Sequence, residues 1–123
     1  MRGFLATAIL ATMTCSAAAA PAWTPDMQSI AKLERAVRVP SGPGQPAKPL
    51  AYYDRYYAGT IESGHRMIHG EYILLGKTQA KNSVHIVGLN DLPLIMDGGC
   101  GIVNVLYDAD VGRIAAAYCN GYA

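Results

Sequence analysis

Apolar and polar positions follow three different spacings along the chain. From Phe4 to Met13 the residues are apolar, broken only by Thr and Ala, behind the short basic start Met1-Arg2-Gly3. From Met27 to Val37 the apolar residues Met27, Ile30, Leu33 and Val37 recur at helical spacing. From Leu50 onward the pattern becomes that of strands, rich in aromatic and β-branched residues between turn signals.

The first stretch reads as a secretory signal peptide over residues 1–20. The small residues Ser16 to Ala20 suit a signal peptidase, which would cut after Ala19 or Ala20, or after Ala22 because Pro21 is a poor residue to follow a cut. The run falls short of the roughly 20 strongly apolar residues a membrane span needs. Lipid attachment at Cys15 is disfavoured, since Thr14 and Thr12 stand where a small residue and a leucine are wanted. The expected location is therefore the periplasm or the medium, with no membrane span left after removal of the signal.

The second stretch predicts one amphipathic helix from Pro25 to Arg38, within a helical segment 21–39. Thr24 would cap it, Pro25 would take the first helical position and Asp26 would face the positive dipole end. Glu34 and Arg38 sit one turn apart, as an ion pair requires. Four prolines and two glycines between Pro40 and Pro49 make a linker, either loose or extended across the surface.

The β-rich remainder, residues 50–123, predicts strands at Tyr52–Ile61 and His65–Leu75 around the turn Glu62-Ser63-Gly64, with Gly70 a candidate bulge. A short helix starting at Pro49 is the competing reading for residues 50–58; aromatic density favours the strand. Shorter strands are expected at Val84–Val87 and near Leu94–Met96, then a hairpin of Cys100–Tyr107 with Arg113–Cys119. The fold class is α+β, an N-terminal helix covering an antiparallel meander of four to five strands.

The cysteine count then becomes informative. Removal of the signal takes Cys15 and leaves Cys100 and Cys119, a pair suited to one disulfide in an oxidising compartment. With Ala109 and Asp110 at the hairpin tip the two cysteines face each other, at a separation a disulfide accepts; a longer loop makes them diagonal neighbours on the same face, a harder arrangement to bridge. Cys100 as a nucleophile among Gly98, Gly99 and Gly101 is the weaker reading, because a thiol with one neighbour in such a compartment pairs. The same four residues lack the Lys-Ser/Thr ending of a phosphate loop.

Charge narrows the partners. Arg2 is the one charged residue of the signal, so the rest of the chain carries nine basic and nine acidic residues. A neutral chain without a basic run is unsuited to nucleic acid or to anionic lipid. His65, Met67, His69 and Glu71 alternate on one predicted strand face, and with His85 they raise a copper or zinc site. Against it, two histidines four apart in a strand stand about 13 Å apart. Tyr52, Tyr53, Tyr56 and Tyr57 suit an interface or the outer half of a core. Asp97 sits at a turn, beside a ligand or accepting turn N–H groups.

No cofactor motif and no catalytic constellation emerges. The sequence reading is thus a non-enzymatic envelope protein that binds another protein as an inhibitor or accessory factor, with Tyr53, Tyr57, His65, His69, His85 and Asp97 as candidate contacts. A small-molecule or metal binder using His65, His69 and His85, and a small hydrolase with a scattered site, are the alternatives.

Overall fold

The computed structural model describes residues 3, 8–12, 23–76 and 81–122. The expected signal peptide, its three candidate cleavage positions and Cys15 lie largely or wholly outside the described residues. Among the described residues the fold is one α-helix and a five-stranded mixed sheet, so strands dominate an α+β domain. No described helix is long and apolar enough to cross a membrane.

The helix, α1, spans Met27–Ala36. Its cap is Asp26, not Thr24: the Asp26 carboxylate accepts the Ser29 N–H at 2.7 Å. Pro25 stays outside the helix and is buried. The helix stops at Val37, which turns extended and returns its N–H to the Leu33 carbonyl. Ile30, Leu33 and Val37 enter the core, whereas Met27 is exposed. The expected Glu34–Arg38 pair gives way to a tertiary one, with Glu34 Oε1 3.0 Å from Nε of Arg55.

The linker is a docked connector. Gly42 and Gln45 exchange backbone hydrogen bonds around a tight turn. Gln45 Oε1 then accepts the Cys100 N–H at 2.7 Å, and its Nε2 donates to the Gly98 carbonyl at 3.2 Å. A single 3-10 turn at Leu50–Tyr52 follows, so the short-helix reading holds for three residues and the strand for the rest.

β1 (Tyr53–Glu62) and β2 (His65–Leu74) form a ten-pair antiparallel hairpin. Its two-residue turn, Ser63-Gly64, has positive φ at both positions, the twist that right-handed strands need. β2 carries no bulge at Gly70. β3 (Val84–Ile86), β4 (Ile102–Asp108) and β5 (Arg113–Cys119) complete the sheet in the order β3-β1-β2-β4-β5.

That order corrects the meander. β3 lies parallel to β1 at the edge, pairing Arg55–Tyr57, while β4 takes the place beside β2. The physical reason is length and polarity. β4 pairs seven residues with β2 and buries three strand positions on the helix side, whereas β3 has three residues, two of them exposed, which suits an edge. Leu94–Met96 forms no strand and runs as an irregular strap.

The disulfide Cys100–Cys119 is present, with Cα atoms 4.6 Å apart, but the ladder does not set the cysteines opposite one another. Val103 faces Cys119, and the pairing shifts by one at Leu106/Tyr107. Cys100 belongs to a 3-10 turn, Gly99–Gly101, ahead of β4. Gly98 and Gly99, both at positive φ, fold the chain back so that its sulfur reaches β5. Within the hairpin β4 is interior, whereas β5 is an edge with Tyr118 more than half exposed.

Candidate functional site

Strand alternation sorts the candidates onto two faces. Tyr53, Arg55 and Tyr57 of β1 and Ile68, Gly70 and Tyr72 of β2 meet α1 in the core. Tyr53 and Tyr57 are therefore 1% and 0% exposed and cannot touch a partner. Their role is packing: the Tyr57 hydroxyl donates to Glu34 Oε1 at 2.8 Å and shares a hydrogen bond with the Tyr72 hydroxyl at 2.9 Å. Burial holds both phenols above their ordinary ionisation range.

The helix-free face carries the histidines, as alternation requires, but does not gather them. His65 Nδ1 lies 2.6 Å from Asp108, His69 Nε2 3.2 Å from Glu62, and His85 Nε2 2.7 Å from Asp54. Each imidazole thus has its own carboxylate on a different part of the sheet. Tyr56 stacks on His85 with ring centres 4.5 Å apart and donates to Asp54, which raises the Tyr56 phenol.

His65, Asp108 and Asp110 do approach within 4.8 Å through their ligand atoms. Their carboxylates are engaged in closing the β4–β5 turn. Asp108 Oδ1 accepts the N–H groups of Asp110 and Val111, and Asp110 accepts both the N–H and the Nε of Arg66. These bonds hold both acids below the usual carboxylate range.

Asp97 is exposed in the strap, where its backbone carbonyl, not its carboxylate, accepts Asn120 Nδ2 at 3.0 Å. Among the described residues no serine, threonine or cysteine hydrogen-bonds a histidine. Cys100 is committed to the disulfide.

A concavity lies where β3 stops short of β1. Arg55 N–H and the Tyr57 carbonyl point outward, meeting Ser83 and Val87. By the same parity the backbone groups of Gly59 and Ile61 point outward, past the end of β3, with no described backbone partner on that side. A groove of about 890 Å³ runs along this open edge. Trp23 and Thr24 form one wall and Ile86 to Asp91 the other, with Glu62 and His69 at the hairpin end.

Trp23 had no role in the sequence reading. Its Nε1 donates to the carbonyls of Thr60 (2.8 Å) and Met67 (3.2 Å), and the Arg66 guanidinium lies 5.5 Å from its ring centre. Gly59 lets the segment cross, since a methyl group there would stand 2.2 Å from the Trp23 carbonyl oxygen. The signal that marked it was present: a lone tryptophan beside a helix start, in a chain with one Trp and one Phe.

Against known proteins, the chain matches no family model, no curated sequence and no solved structure.

Proposed function

We propose that this is a non-enzymatic binding protein of the extracytoplasmic space that takes an extended peptide segment of its partner along the open edge of β1. The observation that carries the reading is the pair of outward-facing residues Gly59 and Ile61, which have no described backbone partner on that side, inside a walled groove. Backbone groups of this kind accept an added strand, which supplies affinity through main-chain hydrogen bonds and specificity through flanking pockets. Trp23, Ile61, Ile86 and Leu89 offer apolar contact to alternate side chains of the guest.

Charge defines the guest further. Glu62 and Asp91 line the groove and, among the described residues, no Lys or Arg does, which favours a segment with cationic side chains. The disulfide, together with the signal-like start, supports work outside the cytoplasm.

The test is selection of twelve-residue peptides displayed on phage against the disulfide-bonded protein. Enriched peptides are expected to protect the Gly59 and Ile61 amides from hydrogen exchange and to lose at least about tenfold in affinity for Leu89→Arg, a change at an exposed wall position. Failure to enrich any peptide, or binding that leaves those two amides unprotected, would overturn the reading.

A further inference from the structure

A second, smaller cavity opens on the helix-free face between β2, β4, β5 and the strap that follows β3. Its volume is about 170 Å³, several times the roughly 30 Å³ that one water occupies in the liquid. Glu71, Asn104 and Tyr118 face one another in register across three strands and all line it. Leu92 roofs it from the strap. Asn120 fixes that roof, with Nδ2 donating to the carbonyls of Ile95 (2.7 Å) and Asp97 (3.0 Å).

Glu71 is the anomaly. The residue is 7% exposed, yet no described side chain or backbone N–H donates to its carboxylate, and no described cation pairs with it. Its carboxylate oxygens are not themselves closed off, so they face the open side of the cavity, where water or a cationic ligand can supply the partner. Beside it, Asn104 donates one Nδ2 proton to Asn120 Oδ1 at 2.7 Å, and no described donor reaches its own Oδ1, which stands as a second acceptor. His69, at the cavity wall, has Nε2 directed to Glu62.

We propose that this cavity binds one organic cation, an alkyl ammonium or guanidinium group, with the Glu71 carboxylate as counter-ion and Asn104 Oδ1 as second acceptor. Charge, acceptors and shape agree on that class. Leu92, Leu106 and Ala116 provide an apolar wall for an alkyl stem. Tyr118, more than half exposed, offers a ring against which a cation can rest. A hard divalent ion is a poor fit, because it requires about six oxygen ligands and the cavity offers one carboxylate and one amide oxygen.

The group can arrive on a free amine or on a Lys or Arg side chain of a partner, and the inference does not depend on the β1 groove, which shares only His69 with this cavity.

The test uses the disulfide-bonded protein and follows backbone amide shifts during titration with n-butylammonium and n-butylguanidinium, with n-butanol and butyrate as controls. Saturable shifts at Glu71, Asn104 and Tyr118 are expected with the cations alone. Glu71→Gln should weaken them at least about tenfold, the scale of losing one member of a buried charge pair. The same variant should unfold at an equal or higher temperature, since it removes a partly desolvated carboxylate that has no described partner while keeping the volume, so loss of binding will not reflect loss of fold. Tighter binding of putrescine than of acetyl-Ala-Lys-Ala-amide assigns the site to a free amine, and the reverse order to a partner's side chain. Equal shifts with butanol, unchanged affinity in Glu71→Gln, or no saturation in the millimolar range would overturn the proposal. None of these outcomes touches Gly59 and Ile61, so the groove stands or falls separately.

Discussion

Gly70 lies directly across β2 from Tyr57 of β1, and a methyl group at Gly70 would sit 3.2 Å from the Tyr57 ring and 3.3 Å from Val105 Cβ. The glycine is there for space, since its φ is not in the left-handed region. Tyr57 cannot retreat, because its hydroxyl is tied to Glu34 and Tyr72 beneath the helix. Gly70→Ala is therefore expected to destabilise by about 1–3 kcal/mol, the overpacking cost outweighing the entropy gained over glycine. Urea denaturation measures it; a gain in stability would show that the ring can shift.

Reduction of Cys100–Cys119, or Cys100→Ser with Cys119→Ser, should remove roughly 3 kcal/mol, the chain-entropy value for a loop of this size. The Gln45 contacts with Cys100 and Gly98 give the loss a second signature. Exchange of the Cys100 amide should accelerate in the variant. Intact mass with and without reductant tests the bridge, and two free thiols would contradict it.

Arg55 is 3% exposed and reaches Asn82 Oδ1 with Nη2 at 3.0 Å, while its charge is met by Glu34. Glu34→Gln leaves that guanidinium without a counter-ion. The cost should be about 2–3 kcal/mol, below the full value for a wholly buried pair because Glu34 is 22% exposed. Adding Arg55→Met should recover part of it, and a double-mutant cycle by chemical denaturation reads the coupling directly.

Two sets of acids respond to pH with opposite sign. Burial raises Glu71 above its ordinary value of 4.5, so the folded state holds its proton longer and stability declines as pH rises from 4.5 through the folded value. Asp108 and Asp110 lie below 3.8, chiefly through the Val111 and Arg66 N–H groups, so their contribution is complete above 3.8 and is lost as pH falls through the lowered values. Melting temperature against pH should therefore show a decline above about 4.5 in the wild type that Glu71→Gln abolishes. Both proteins should share the acid limb, along with faster exchange of the Gly112 amide at the turn, where it bonds the Asp108 carbonyl.

The sequence by itself determined what depends on neighbours along the chain. Ile30, Leu33 and Val37 at helical spacing specified the buried helix face. Ser63-Gly64 specified a tight hairpin, and the alternation His65, Met67, His69, Glu71 specified one strand face, because local geometry is periodic. The cysteine pairing was legible from the count that remains beyond the signal-like start, although the ladder register behind it was not. Tertiary structure alone decided what comes together across strands. The place of β3 depended on which strand offered β2 the longer apolar partner, so the open edge at Gly59 and Ile61 could not be read in advance. Glu34 chose Arg55 over Arg38 because the sheet delivered a buried guanidinium beneath it. Glu71 read as a polar strand residue until β4, β5 and the Leu92 strap closed over it, and burial, unlike alternation, is a property of the whole packed chain.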